Sequence, residues 1–295
     1  MKNSDFESVV IVDDDDNEVN DNNDNNGIAC ELTNNINELD NIIEIVEQPV
    51  KKSRTRTKQV PLKKYYSDYP NVWEIGVDEV GRGPLFGRVY TAAVILPKDD
   101  TFDHSKMKDS KKFHSKKKIE EVADYIKQNA LAWSVSYETE KTIDDINILQ
   151  ATQKCMHNSI VNTYKKFITS DFCVTNGLKN NLSITHNFKL LVDGNYFNYL
   201  TIFDKNKNTY EKFNHTCVEG GDNKYSAIAA ASILAKVSRD EYIDQLCSDN
   251  PYLGDYYGID SNKGYGAKRH IDGIKEHGIT VWHRRTFGIC KEYCD

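Results

Sequence analysis

The chain has 295 residues, 28% of them charged, and a formal net charge of −7 at neutral pH. Domains run to roughly 100–200 residues, so there is room for one large domain or two small ones. The sequence has no apolar run of roughly 18 residues and no apolar segment behind a basic start. We therefore expect neither a membrane helix nor a secretory leader, and a soluble intracellular protein.

The acidity is not evenly spread. Residues 1–50 hold fourteen Asp/Glu against one Lys, a net of −13, which leaves residues 51–295 at +6. Rich in Asn and Asp, with the run Asp13–Asp16, this stretch cannot bury enough apolar surface to offset its ordering entropy. We expect residues 1–70 to be a disordered acidic tail with a basic linker, and 71–295 to be the folded domain. Two β-branched knots, Val9–Val12 and Ile42–Val46, sit beside acids and resemble SUMO-interacting motifs, which would make SUMO or another protein a partner of the tail. Plain spacer is the alternative. The basic run Lys51–Lys58 reads as a nuclear import signal, a nucleic-acid tether or a solvated linker, so the expected location is cytoplasmic unless that run directs the chain to the nucleus. Seven cysteines without Cys-x-x-Cys spacing argue for reduced thiols, against zinc and against a disulfide framework.

In the body, Val72, Trp73, Ile75 and Val77 form a strand-like run that delivers Asp78 and Glu79, and Gly81-Arg82-Gly83-Pro84 follows at once. Adjacent like charges taken out of water cost roughly several kcal/mol unless a cation sits between them, so the pair reads as metal ligands, or else as a solvated strand end. Glycines without Cβ let backbone groups approach a ligand closely. Arg88–Leu96 is a second β-type run, close enough to pair back antiparallel. Met107–Lys118 is a basic loop, and Ser115 is placed to cap a helix carrying Ile119, Val122, Tyr125 and Ile126. Lysines before a helix N-terminus suit a phosphate, or simply a solvated helix entrance. Leu131–Tyr137 alternates like a third strand. The spacing of Ile143, Ile146, Leu149, Met156, Ile160, Tyr164 and Phe167 predicts one long helix over 142–168.

Residues 171–187 are polar and Asn-rich, which predicts a surface insertion. Phe188–Val192 has the length of a buried strand and ends in Asp193. Residues 200–216 read as a polar hairpin, after which Asn214–Val218 leads to Gly220-Gly221-Asp222. The stretch Tyr225–Leu246 is strongly helical, and Ala227, Ala229, Ala230, Ala231 and Ala235 permit close helix-on-sheet contact. Asp222 beside its start is stabilised as an anion by the helix dipole, and such an acid is as readily a cap as a catalyst. Asn262-Lys263-Gly264-Tyr265-Gly266, a short helix over 268–277 and Trp282–Phe287 close the chain.

Asp78, Glu79, Asp193 and Asp222 thus all lie at element ends in an alternating α/β body. Oxygen ligands without His or Cys suit Mg²⁺ or Mn²⁺. Two such ions ~3.5–4 Å apart assist in-line phosphodiester displacement, and a basic body supplies a surface for a phosphate backbone. One difficulty is geometric: neighbours in a regular strand face opposite ways, so Asp78 and Glu79 converge only if the strand bends there.

Six blocks carry a family resemblance: Gly76–Leu85 (Gly-Val-Asp-Glu-Val-Gly-Arg-Gly-Pro-Leu), Lys108–Lys112, Ile143–Thr152, Leu191–Asn195, Gly221–Lys224 with Ile228–Asp240, and Lys263–Gly266 with His283–Phe287. In this order they resemble ribonuclease HII. The resemblance implies an RNase H-like fold, a mixed five-stranded sheet flanked by helices, and a two-metal endonuclease acting as a monomer on nucleic acid. It would cut the RNA strand of RNA–DNA hybrids and incise 5′ of a lone ribonucleotide in duplex DNA, leaving 3′-hydroxyl and 5′-phosphate ends. Asp78, Glu79, Asp193 and Asp222 would hold the ions. Gly81, Arg82 and Gly83 would contact the ribose 2′-hydroxyl through the backbone, and Tyr265 would pack on the next sugar, with Lys111, Lys112 and Lys224 on phosphates. Phe86, Arg88 and Asn262 depart from the pattern, Phe86 with consequences for packing beneath the turn. A catalytically idle hybrid-binding protein is the lesser reading with all four acids present. The tail could also cover the basic groove as a nucleic-acid mimic.

Overall fold

The computed structural model describes residues 61–178, 182–204 and 208–294. The acidic tail, its two β-branched knots and the basic run 51–58 lie outside the described residues. The elements in chain order are β1 (Trp73–Val80), β2 (Val89–Ile95), α1 (Lys116–Asn129), β3 (Ala132–Glu138), α2 (Glu140–Ile168), α3 (Asp171–Thr175) and α4 (Ile184–Asn187). There follow β4 (Phe188–Asp193), β5 (Thr201–Asp204), β6 (Thr209–Lys212), β7 (Asn214–Val218), α5 (Ser226–Asp249), α6 (Tyr252–Tyr257), α7 (Ile259–Asn262) and α8 (Lys268–His277).

Five strands form one sheet in the order β3-β2-β1-β4-β7, and β5 and β6 pair as a separate hairpin. β2 runs antiparallel to both β1 and β3, whereas β4 is parallel to β1 and β7 is parallel to β4. The period of two sorts the side chains into layers. Trp73, Ile75, Val77, Leu190 and Val192 join one buried cluster with Met156, Ile160 and Phe167 of α2. Ala92 and Val94 belong to a second cluster with Ile119 and Ile126 of α1 and the alanines of α5. The closeness of α5 to the sheet depends on Gly76: a Cβ there would lie 2.2 Å from the Ala227 carbonyl carbon. The mixed sheet flanked by helices agrees with the fold expected from the sequence.

Four local expectations change. The body begins near Leu62, not at residue 71: Lys63 N donates to Lys224 O at 2.9 Å, and the Tyr66 and Ser67 amides donate to the Glu74 carboxylate at 3.0 and 2.8 Å. The long helix is broken at Asn147 (φ 65°), whose side chain accepts from Gln150 N at 3.0 Å and so caps the segment that follows. Ile146 and Leu149 on either side of the break are exposed rather than core. Ser115 does precede α1, but its side chain makes no capping bond. Residues 171–187 are not purely a surface insertion, because Cys173 and Ile184 are buried and Phe172 packs on the α2 core. The six described cysteines are free, and among the described residues no helix is long and apolar enough to cross a membrane.

Candidate active site

Sheet topology makes the site. The ladder between β1 and β4 stops at Val77–Val192, while that between β1 and β2 continues to Val80–Tyr90. Beyond Val77 the β4 side of β1 is therefore open, at the carboxyl ends of two adjacent parallel strands. Asp78 and Asp193 are the next residues of these two strands. Glu79 stays in the ladder opposite Thr91, so the bend expected at the acid pair does not interrupt its pairing with β2. Asp222 arrives from a tight turn over Gly221–Asn223, just before α5. All four carboxylates line one cleft of about 250 Å³, together with Ser110, Lys111, Ser232, Lys236, Arg239, Asn262, Lys263 and Tyr265.

Burial and like charge set the electrostatics of the cleft. Burial first, then the charges of Glu79 and Asp193, push the Asp78 carboxyl well above its ordinary range. Burial raises Glu79 against the opposing pull of Arg82, and burial, Asp109 and Asp193 raise Asp222. The charges of Glu79 and Asp193 oppose the ionisation of Asp78, and that of Asp193 opposes the ionisation of Glu79 and Asp222, an arrangement that a cation relieves. Among the described residues no three His, Cys, Asp or Glu side chains are already drawn into a metal cage. The carboxylates instead turn to nearer donors. Asp78 accepts from Glu79 N at 2.7 Å, Asp193 from Gly221 N at 2.6 Å and Asp222 from Asn223 Nδ2 at 3.0 Å, while Glu79 pairs with Arg82 at 3.4 Å. An all-oxygen, multiply anionic donor set of this kind fits a hard divalent ion.

Other groups surround the acids. Asp109 is drawn upward by burial but ends below its ordinary range, because Lys111 N donates to it at 2.9 Å and Asn223 Nδ2 at 3.2 Å. The Ser232 hydroxyl on α5 hydrogen-bonds to Asp78 and lies 3.0 Å from the Ser110 hydroxyl. Of the three lysines singled out in the sequence, only Lys111 lines the cleft. Lys112 is bonded to Asn223 Oδ1, and Lys224 is turned onto the Glu219 carbonyl. Lys236 and Lys263 line the cleft instead, tied to Asp240 and Asp244.

The glycine turn forms the lip of the cleft, and Tyr265 Cε1 would lie 3.7 Å from a Cβ on Gly83. Two buried guanidinium groups that the sequence reading gave no role hold it from behind. Arg284 donates to the carbonyls of Gly81, Arg82, Pro84 and Gly87 at 2.5–2.9 Å. Arg239 donates to those of Phe86, Arg88 and Lys263 at 3.1–3.2 Å. Burial and then the neighbouring Arg239 charge bring Arg284 down to about 9 against the opposing pull of Glu140 and Asp144. Guanidinium on the carbonyl side polarises the Arg82 and Gly83 peptides and strengthens their N–H groups as donors. Gly81 needs φ +92° here, and a Cβ on it would meet Arg239 Nε at 2.4 Å.

The sequence profile described as Ribonuclease HII matches residues 75–290. The chain belongs to the ribonuclease HII family. Curated members include ribonuclease HII of Bacteroides thetaiotaomicron, 40% identical over 73% of this chain and 90% of the relative, and that of Pelagibacter ubique, 39% identical over 72% and 94%. Among solved structures, ribonuclease H2 of Pyrococcus horikoshii has a TM-score of 0.50 at 21% identity, covering 75% of this chain and 97% of that one. The ribonuclease HII of Archaeoglobus fulgidus, solved in complex with PCNA, matches at 0.50 and 22%, covering 74% and 96%; both show the same RNase H-like fold. As a type 2 ribonuclease H the family member is a hydrolytic endonuclease acting on RNA–DNA hybrids, and divalent-metal dependence is general in the family.

Proposed function

We propose that this enzyme hydrolyses the RNA strand of hybrids, and incises 5′ of single ribonucleotides embedded in duplex DNA, with two divalent ions, Mg²⁺ or Mn²⁺, held by Asp78, Glu79, Asp193 and Asp222. The observation that supports this reading is the convergence of four carboxylates from β1, β4 and the turn before α5 on one cleft, where the ionisation of Asp78, Glu79 and Asp222 is opposed by burial and by the Asp193 charge. When bound, such ions activate a water and stabilise the departing oxygen of an in-line displacement, which leaves 3′-hydroxyl and 5′-phosphate ends. The chain's own residues do the positioning. Ser232 and the Glu79 amide orient Asp78, and the Gly221 amide orients Asp193. The polarised Arg82 and Gly83 amides face the ribose 2′-hydroxyl, the group that tells RNA from DNA. Tyr265, half exposed beside Gly83, packs on the following sugar and disfavours a second hydroxyl there. Lys111 sits among the acids as a phosphate contact, and Lys112 and Lys224 reach phosphate only by leaving their present partners. The catalytic unit acts as a monomer.

The test is cleavage of a duplex carrying one ribonucleotide and of a continuous hybrid, in Mg²⁺ and in Mn²⁺, with the product ends identified. Asp193→Asn is expected to lower both rates at least 100-fold. An Asp193→Asn enzyme cutting at the normal rate would place the site elsewhere.

A further inference from the structure

Behind Tyr265 lies a pair of histidines that the chemistry above does not use. His270 on α8 is 0% exposed and His283 is 2% exposed. Their Nε2 atoms are 3.1 Å apart, His270 Nδ1 lies 2.9 Å from the Tyr265 carbonyl oxygen, and Thr280 N lies 2.9 Å from His283 Nδ1.

Thr280 Oγ1 also lies 2.9 Å from His283 Nδ1 and, as a hydroxyl, can donate to it, so these four contacts are all met by one arrangement of protons. A backbone N–H only donates, so His283 Nδ1 accepts and the His283 proton is on Nε2. A carbonyl only accepts, so His270 carries its proton on Nδ1. His270 Nε2 is then bare and receives the His283 Nε2 proton, and every bond in the row has one donor and one acceptor. The direction runs from Thr280 N–H through His283 and His270 to the Tyr265 carbonyl. A proton added to either ring would set two donors head to head. Burial, which holds both imidazoles below their ordinary range, acts in the same sense.

The surroundings tie this row to the Tyr265 loop. The Tyr265 carbonyl also accepts from Ala267 N at 2.8 Å, and Tyr265 N donates to the Asn262 carbonyl at 3.0 Å. Asn262, one of the departures from the family pattern, accepts from Gly264 N and donates to the Tyr257 carbonyl, both at 2.8 Å. Phe86, another departure, is fully buried with its ring centroid 5.1 Å from that of His283 and 6.4 Å from that of His270. Leu85 N donates to the Gly264 carbonyl at 2.9 Å, which joins the glycine turn to the same loop. A lysine or arginine could also donate to the Tyr265 carbonyl, but would bring a net charge into this apolar pocket. Two neutral imidazoles supply a directed donor without one.

We propose that His283 and His270 are positioning residues that fix the Tyr265 backbone against the glycine turn, and so set the enzyme's discrimination between a single embedded ribonucleotide and a continuous hybrid. The proposal rests on the reading of Tyr265 given above and goes beyond it in naming what holds that residue in register.

The experiment measures the ratio of kcat/KM on the single-ribonucleotide duplex to kcat/KM on the continuous hybrid. The full chain is compared with Tyr265→Ala, His270→Leu, His270→Asn and the double variant Tyr265→Ala/His270→Leu. The asparagine amide overlays imidazole Nδ1 and keeps the donor to the Tyr265 carbonyl. His270→Leu is expected to lower the ratio about 5- to 10-fold, the worth of one lost hydrogen bond, and His270→Asn to restore it to within about 3-fold. In the Tyr265→Ala background His270→Leu is expected to add nothing. A ratio unchanged by His270→Leu but lowered by Tyr265→Ala overturns this proposal and leaves the Tyr265 reading standing; a ratio unchanged by Tyr265→Ala overturns both. If His270→Leu does not fold, long-range ¹H–¹⁵N spectra of the histidine-labelled native chain decide. The proton is expected on Nδ1 of His270 and on Nε2 of His283, and any other pair of tautomers overturns the proposal.

Discussion

Gly81→Ala tests the way the turn is held. Gly81 has φ +92°, and an added Cβ would lie 2.4 Å from Arg239 Nε, 2.8 Å from Arg239 Cδ and 3.0 Å from the Arg88 carbonyl oxygen. Two costs add. The left-handed backbone costs a non-glycine residue roughly 1–2 kcal/mol. Crowding adds about 1–3 kcal/mol, because the Cβ meets the root of a guanidinium tied to three carbonyls rather than a free side-chain end. The sum, ~2–5 kcal/mol, is smaller than the roughly 5–15 kcal/mol that holds a domain together. The variant therefore folds, with Tm lowered by about 4–20 °C at ~2–4 °C per kcal/mol for a domain of this size. Gly177→Ala is the control for backbone strain alone: φ is +63° and, among the described residues, a Cβ there would meet nothing within 4 Å. Its expected loss is ~1–2 kcal/mol. Thermal and urea unfolding of both variants gives the two stabilities, and hybrid cleavage reads the site. Gly81→Ala is expected to lose more than about tenfold in activity, since displaced amides misplace the sugar, while Gly177→Ala keeps it. Equal stability losses in the two variants would show that Arg239 is not pressed against the turn, and the reasoning would fall.

Gly76→Ala is expected to destabilise by about 3 kcal/mol or more, at the upper end for overpacking. Its Cβ would lie 2.2–2.6 Å from backbone atoms of Ala227 and Ile228, which no rotamer change can clear; urea unfolding showing a loss below about 1 kcal/mol would contradict the close seating of α5. Acid stability reports the buried histidines. Burial holds His283 at about 3, whereas an unfolded imidazole titrates near ~6.5. Below pH ~6.5 the unfolded chain takes up a proton that the folded chain refuses. Stability present above that pH is lost progressively toward pH 3, with about 2 kcal/mol gone at pH 5 from this group alone. Asp78, Glu79, Asp222 and Glu140, all raised, act with the opposite sign. The measurement is therefore the change in unfolding free energy between pH 7 and pH 5 in the native chain, minus that in His283→Gln. A difference near zero would mean that His283 titrates normally.

What could be read from the sequence, and what could not, divides along a physical line. Helical spacing located α1 and alternation located β3, while β1, β2 and β4 showed as short apolar runs and α5 as an alanine-rich, helix-favouring stretch, because burial leaves its trace in the residues themselves. The break at Asn147 left none: Ile143, Ile146 and Leu149 keep helical spacing across it, and only a positive φ at one polar residue ends the helix. The four carboxylates could be read because Asp78, Glu79 and Asp193 stand at the ends of apolar runs and Asp222 stands just before a strongly helical stretch. The groups that hold the glycine turn and the Tyr265 loop could not. Arg284 bonds to carbonyls about 200 residues away, Arg239 to carbonyls about 150 residues away, and the histidine pair ends on a carbonyl. Backbone acceptors are the same in every residue, so a side chain whose partners are all carbonyls has no counterpart to be found in the sequence. Only a buried, unpaired cation in the folded chain reveals it.

That choice of partner also bears on the chemistry. A carboxylate beside Arg284 or Arg239 would neutralise the guanidinium and compete for it with the turn. Carbonyl partners leave the positive charge to act through the peptide planes toward the cleft, while the acids gather on the other wall. On the proposed reading, the donors for a sugar hydroxyl stand on the glycine side of the cleft and the oxygen ligands for a divalent ion on the strand side. Phe86 and Asn262 depart from the family pattern and yet both support the donor side, Phe86 by filling the space beneath the turn and Asn262 by closing the Tyr265 loop.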